Sequence, residues 1–387
     1  MKVTAVKTFP VLAGWRDWVF VKIETDEGIS GWGEATLLGY SRTVEGAVHD
    51  LVNGDLIGMD PRNIELHWYT LFRNTWFRPS IVLLSALGGV EMALWDILGK
   101  SLNVPVYQLL GGAFRQQIQV YNNTWYFSAK TIEDYATLAK RAVSDGSTFL
   151  KWDPFWGCDV FPSEEEIQRA KECVGLVRST VGDHVELLIE MHGRFSPHDA
   201  IRIARELEPF RPFWLEEPIP SQCGIDSLEK VAQATSIPIA GGEKTLTRWQ
   251  FLDLIKSQVL KFVQPDITYC GGISEVKKIA NLAEIFYIRV APHSASGPLL
   301  AAANLHLDAS IPNFSIQEFF YPDLGFYQEI LMEPFPAPKN GFIQLPSKPG
   351  LGVEPNEDII RTRPFEYPKK PLHGGHYTSL EKYGYNK

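Results

Sequence analysis

Three glutamates, Glu190, Glu216 and Glu243, each follow a short apolar run, and they stand 26 and 27 residues apart. That interval is about one strand–helix unit, so the three would be neighbours around the mouth of a parallel barrel, where chemistry sits. Three hard oxygen ligands with positions left open suit a small divalent ion such as magnesium. Barrel-end carboxylates can instead pair with lysine or arginine, or face water, but the sequence offers no obvious basic partner for these three. Glu217 follows Glu216 directly and would point the other way if the strand pleat continues. His192 lies two residues beyond Glu190, on the same side. Asp266 and His293 are again one unit apart. An aspartate bonded to a histidine fixes its tautomer and raises its basicity, which suits a general base. Glu318 ends the last apolar run.

Such a ladder needs a scaffold that repeats. From Gln117 onward, short apolar runs such as Thr148-Phe-Leu-Lys, Val185-Glu-Leu-Leu-Ile and Val259-Leu-Lys-Phe-Val alternate with amphipathic stretches of helical length. About eight runs are countable, which predicts an α/β fold of the (β/α) TIM-barrel type over residues 117–340. One connecting helix is expected to start at Ser163, with Glu164 to Glu166 in its first turn. Residues 1–116 read differently, with β-rich runs up to Glu34 and mostly helix from Thr43 to Lys100, an α+β module. The tail, 341–387, is rich in Pro, Gly, Lys and Tyr and is expected to fold back over that module.

Composition narrows the partners. Of 387 residues, 45% are hydrophobic and 21% charged, as in an ordinary globular protein. A net charge of −9 argues against nucleic acid, and an anionic substrate would need a local positive centre. The four cysteines form no Cys-x-x-Cys pair, and Met1 to Gly14 lacks a signal-peptide core, so a cytoplasmic protein is expected. The most apolar stretch, Ile81 to Leu98, contains Glu91 and Asp96 and reads as a buried helix rather than a membrane span.

The segment Ala86-Leu-Gly-Gly-Val-Glu-Met-Ala-Leu-Trp-Asp-Ile-Leu-Gly-Lys100, followed by Pro105-Val-Tyr-Gln-Leu-Leu-Gly111, resembles the signature of the mandelate racemase/muconate lactonizing branch of the enolase superfamily. The resemblance implies an α+β capping domain, completed by the tail, over a modified barrel, with Val11 to Trp18 as a lid. It implies that Glu190, Glu216 and Glu243 hold Mg²⁺, which would bind a substrate carboxylate and favour the enediolate. Asp266 and His293 would be the basic dyad. Glu318 would hydrogen-bond the developing oxyanion, either protonated or sharing a proton. A homo-oligomer acting on a small molecule is also implied. Racemases of this branch carry Lys-x-Lys where this chain has Lys151-Trp152-Asp153, so the second lysine base is missing. The first ligand is commonly Asp, whereas here it is Glu190. Lys151-Trp-Asp-Pro-Phe155 and Glu190-Met-His-Gly-Arg-Phe195 resemble the gluconate/galactonate dehydratase group of sugar-acid dehydratases. That group implies His192 as the acid that protonates a leaving hydroxyl, and Lys151, Asp153 and Arg194 as substrate contacts. An epimerase, or a cycloisomerase opening an anhydro-sugar acid, would fit the same scaffold.

Overall fold

The computed structural model describes residues 1–14, 16–320 and 326–367. The chain starts with a three-stranded antiparallel sheet, β1 (Val3–Ala13), β2 (Arg16–Thr25) and β3 (Ser30–Glu34), in that order. Val11 pairs with Trp18, so the segment expected as a lid is the tip of the β1–β2 hairpin; Trp15 lies outside the described residues. Three helices follow, α1 (Ser41–Val52), α2 (Ile64–Arg73) and α3 (Ile81–Leu102), then a short turn of helix, α4 (Val106–Leu109). Helix α3 is long and apolar enough to cross a membrane by length and composition, but 72% of that window is buried within the protein. A helix apolar on all sides is what a core position demands.

Eight parallel strands come next: β4 (Gln117–Asn122), β5 (Phe149–Trp152), β6 (Glu186–Glu190), β7 (Trp214–Glu216), β8 (Ile239–Gly241), β9 (Phe262–Val263), β10 (Arg289–Val290) and β11 (Gln317–Phe319). Each pairs with the next from β4 to β10, and β11 pairs with β4. A bridge between Val290 and Phe314 joins β10 to the approach of β11 and closes the ring. Strands buried on both faces lose the polar alternation of an exposed sheet. Thus Leu187, Leu188 and Ile189 of β6 are all fully buried, Leu188 facing the interior with Tyr121, Trp214, Phe262 and Ile316. The connecting helices are α5 (Ile132–Ser144), α6 (Glu164–Val181), α7 (Pro197–Leu207), α8 (Ile225–Gln233), α9 (Arg248–Ser257), α10 (Ile273–Ile285) and α11 (Pro298–Ser310). Helix α6 starts as its sequence implies: Ser163 and Glu166 form a reciprocal capping box. Among the described residues only a short turn of helix, α12 (Phe326–Glu329), comes between β11 and the next strand. That strand, β12 (Phe342–Gln344), runs antiparallel along the start of β4.

The apolar signature in α3 turns out to be the docking surface between the N-terminal module and the barrel. Glu91 accepts the backbone N–H groups of Ile273 (2.8 Å) and Ser274 (2.9 Å) at the start of α10, and the Trp95 indole N–H as well. From β3, Glu34 does the same for α11, accepting from Gly297 (2.6 Å) and Leu300 (3.0 Å). Asp96 accepts from Trp32 N and from Leu351 N, which ties the tail to the module. Two glycines are required by close approach. A Cβ on Gly88 would lie 2.6 Å from the Thr268 carbonyl oxygen, and one on Gly99 would lie 2.7 Å from Gly350 Cα. Val11 also bridges to Pro364; residues 368–387 of the expected tail lie outside the described residues.

Candidate active site

All the residues singled out from the sequence arrive at the C-terminal ends of the barrel strands. Lys151 comes from β5, Glu190 from β6, Glu216 from β7 and Glu318 from β11, while Glu243, Asp266 and His293 follow β8, β9 and β10. Glu190, Glu216 and Glu243 each present a carboxylate oxygen within 4.8 Å of the other two. Glu217 stays out of this group: its backbone turns to a φ of +44° and its carboxylate accepts from Gly242 N at 2.7 Å.

The expectation that the three glutamates lack a basic partner is wrong. Lys151 reaches across from the neighbouring strand, with its ammonium 2.9 Å from Glu190, in contact with Glu216 and 3.3 Å from Glu318. Lys244 stands 3.5 Å from Glu243, so Lys151 alone serves Glu190, Glu216 and Glu318. Burial would raise Glu190, but Lys151 and His192 outweigh it and hold that carboxyl well below its ordinary range. Burial and the adjacent Glu190 charge together push Glu216 well up. One Glu216 oxygen, Oε2, is buried without a hydrogen-bond partner.

The two histidines stand at opposite ends of the cluster, and each has its own aspartate. His293 Nδ1 is 2.7 Å from Asp266, and its Nε2 is 3.4 Å from Glu243. His192 Nδ1 is 2.8 Å from Asp153, and its backbone N–H is bonded to Glu190. Burial alone would lower both imidazoles. For His293 it is outweighed by Glu243, the Asp266 bond and Glu318, which lift it to about 10. For His192 it is outweighed by Glu190 and Asp153. The surrounding acids thus favour the charged form of both rings.

Three expectations need correcting. For Glu318 burial raises the carboxyl, but Lys151, His293 and the Ser294 N–H outweigh burial and draw it below the usual carboxylate range, against the expected direction. Arg194 is buried, 3% exposed, and engages Asp153 at 2.6 Å and the Phe155 carbonyl at 2.8 Å rather than an incoming molecule. Asp153 likewise faces protein, accepting from Phe155 N, Arg194 and His192. Two residues outside the candidate list also reach the site, Asn123 after β4, readable from its place only as a lining of the substrate's polyol end, and Arg16 within the segment expected as a lid. Asn123 donates to Glu318 at 2.6 Å. Arg16, at the hairpin tip of the N-terminal module, lies 4.8 Å over the Phe320 ring. Burial lowers it to about 10 against the charges of Tyr269 and Glu318, which puts a cation over the mouth.

The donor set suits a hard divalent ion. It is all oxygen, it holds an orphaned carboxylate oxygen, and its three carboxylates outnumber the ammonium groups beside them, Lys151 at Glu190 and Glu216 and Lys244 at 3.5 Å from Glu243. Glu243 is the largest of the charges that raise His293, so compensating it would make the imidazole a readier base.

Comparison with known proteins agrees with this arrangement. Residues 6–111 match the mandelate racemase/muconate lactonizing enzyme N-terminal domain, and residues 134–359 match the enolase C-terminal domain-like family. A D-galactonate dehydratase of Ralstonia nicotianae is 36% identical over 374 residues, 94% of this chain and 94% of the relative. One from Pectobacterium atrosepticum is 37% identical, again over 94% of each chain. A crystallised member of the enolase superfamily from Salmonella Typhimurium superposes with a TM-score of 0.89 at 32% identity, covering 94% of this chain and 98% of that one. A mandelate racemase/muconate lactonizing enzyme from Jannaschia sp. CCS1 gives 0.89 at 33% identity, covering 96% of this chain and all of the other. The capping module and the barrel thus have full-length counterparts, and the chain belongs to the mandelate racemase/muconate lactonizing enzyme family of the enolase superfamily.

Proposed function

We propose that the protein is a magnesium-dependent dehydratase of a sugar acid. It takes the proton from C2 of an aldonate, expels the C3 hydroxyl as water and yields a 2-keto-3-deoxy acid. One observation carries this reading: two imidazoles, each bonded through Nδ1 to its own aspartate, stand at opposite ends of one acidic cluster. Removing a proton and then a hydroxide needs one base and one acid, and a site with two separately held imidazoles offers both.

Glu190, Glu216 and Glu243 would hold the ion. When bound, Mg²⁺ supplies positive charge for the substrate carboxylate and for the negative charge that develops on it. His293 takes the C2 proton on Nε2, its Nδ1–H remaining on Asp266. The electron pair left at C2 spreads onto the carboxylate oxygens, where the Lys151 ammonium adds charge stabilisation. Glu318 is held in place by Asn123 and the Ser294 N–H and orients Lys151. His192 gives its Nε2 proton to the C3 hydroxyl, the C3–O bond breaks, and the pair at C2 closes the C2–C3 double bond. The enol then tautomerises to the ketone. Asp153 occupies the place of a second lysine base, which argues against two-base epimerisation at C2. The relatives' names favour a six-carbon acid of the galactonate kind.

The test is an assay of the purified protein with Mg²⁺ on a panel of four- to six-carbon sugar acids. The product is read with semicarbazide, and active substrates are repeated in EDTA. Metal-dependent formation of a 2-keto acid from a few stereoisomers is the expected result. Silence on the whole panel would overturn the dehydratase reading.

A further inference from the structure

His192, Asp153 and Arg194 form one continuous chain from the barrel wall to the mouth. Asp153 Oδ2 meets His192 Nδ1 at 2.8 Å and Arg194 Nη2 at 2.6 Å. Its Oδ1 accepts from Phe155 N at 2.8 Å, and Arg194 Nη1 donates back to the Phe155 carbonyl at 2.8 Å. The Phe155 and Phe195 rings pack edge to face at 5.0 Å. The two strand-end stretches Lys151–Phe155 and Glu190–Phe195 are therefore interlocked as one unit. Exposure falls along the chain: the His192 side chain is 31% exposed, Asp153 and Arg194 only 5% and 1%. His192 also sits in left-handed backbone, φ +54°, a conformation that needs surrounding contacts to hold it.

We propose that Asp153, clamped by Arg194, is the positioning residue for His192, so that each of the two protons handled in the reaction has its own anchored aspartate–histidine unit. The inference rests on the dehydratase reading above. Its physical content is a tautomer and an orientation. Asp153 stays ionised, because the His192 and Arg194 contacts outweigh burial. An ionised carboxylate only accepts, so His192 Nδ1 must carry hydrogen, and Nε2 is the nitrogen turned to the substrate. When the acid acts, the Nε2 proton goes to the departing C3 oxygen, the C–O pair leaves with it as water, and His192 remains neutral with Nδ1–H on Asp153. Arg194 and the Phe155 N–H donate to the remaining acceptor positions of Asp153, which holds the carboxylate in one orientation. The second unit is built differently: Asp266 is oriented by the backbone N–H groups of Thr268 and Tyr269.

The experiment separates the two protons. Wild-type protein, Asp153→Asn and Asp266→Asn are each loaded with Mg²⁺ and given, in D2O, the sugar acid that the wild type dehydrates. For Asp153→Asn, dehydration is expected to fall about 100-fold or more in kcat, with little change in KM. Deuterium should still enter C2 of the recovered substrate, because His293 is untouched. Asp266→Asn should lose both. Arg194→Lys should retain more dehydration than Arg194→Gln. Parallel loss of exchange and dehydration in Asp153→Asn, or a raised KM with unchanged kcat, overturns the proposal; the second result would make Asp153 a substrate contact. Nitrogen-15 NMR of labelled histidine in the wild type reads the tautomer directly and needs neither a folded variant nor turnover. Hydrogen on Nδ1 of His192 is expected, and a neutral Nε2–H form overturns the positioning role. Should the wild type dehydrate nothing while Nδ1–H is seen, the dehydratase reading fails and the Asp153–His192 anchor stands.

Discussion

Two sets of glutamates in this protein are equally buried and opposite in character. Glu34 and Glu91, in the seam between the N-terminal module and the barrel, are 0% and 1% exposed; Glu190 and Glu216, at the mouth, are 2% and 1%. At the seam the acids meet N–H groups. Glu91 has two backbone donors, an indole and the Ser274 hydroxyl, and Glu34 has two backbone donors and the Thr36 hydroxyl. At the mouth the acids meet each other and share one lysine, and an oxygen of Glu216 is left over. Burial therefore does not mark a functional carboxylate; unmet hydrogen-bonding and charge do. The seam acids spend their capacity on holding the cap to the barrel. The mouth acids keep theirs in reserve.

The largest expected effects break the mouth. Removing divalent metal with EDTA, or substituting Glu216→Gln, should lower turnover about 10⁴-fold, since several kcal/mol of charge stabilisation are lost. Stability should not follow. Relieving like-charge crowding in the metal-free protein should leave the urea midpoint of Glu216→Gln equal to or above that of the wild type. A variant that lost activity and stability together would erase the distinction between the two sets.

The seam should respond the other way round. Glu91→Ala leaves two backbone N–H groups, a hydroxyl and an indole without their buried acceptor, an expected loss of about 3–5 kcal/mol. The folded fraction should keep kcat within about twofold, because no contact of Glu91 reaches the mouth. Urea denaturation and active-site-normalised rates measure the two quantities on one sample.

Much of this contrast was invisible in the sequence, for a physical reason. The ladder Glu190, Glu216, Glu243 was legible because each rung ends a strand and the β/α repeat sets the interval, so linear spacing encodes proximity around the ring. The same holds for Asp266 and His293. Lys151 was read as a substrate contact because its place in the cluster depends on cross-strand register and side-chain reach, not on interval. Arg194 was misread for the same reason: its partner Asp153 is 41 residues away, on another strand end. Glu91 bonds residues 182 and 183 positions distant, a relation no periodicity carries, so its motif identified a family without revealing its task. The direction in which Glu318 shifts was not legible because it is a balance of burial against Lys151 and His293, and that balance exists only in three dimensions.

A pH series sharpens the seam half of the comparison. Burial pushes Glu34 up to about 7, beyond what its N–H donors and Thr36 can offset. The unfolded chain ionises this group near 4.5, so between about pH 4.5 and 7 the folded state binds more protons than the unfolded one. Its contribution to stability is full below that window and is lost as pH rises through it, by up to about 3 kcal/mol. Urea midpoints of wild type and Glu34→Gln from pH 4.5 to 8 should differ in slope across this window, the wild type falling more steeply. Parallel slopes would mean that Glu34 is ionised throughout.

The smallest effect isolates burial itself. Glu166 makes the same kind of contact as Glu91, a carboxylate on a helix-start N–H: its Oε2 accepts from Ser163 N at 2.7 Å. The difference is that this bond is exposed. In water the freed N–H is re-solvated at once, so Glu166→Ala should cost only about 0.5–1 kcal/mol, against several for Glu91→Ala. Both substitutions also remove a charge from a helix N-terminus, and that shared loss cancels in the comparison. What remains is the price of leaving donors dry. Added salt should shrink the Glu166 effect, which is screened, and leave the Glu91 effect nearly unchanged. If both variants lost the same stability with the same salt dependence, the seam would owe its strength to helix-end charge rather than to buried acceptors. Glu34 would then have to be reinterpreted on the same terms.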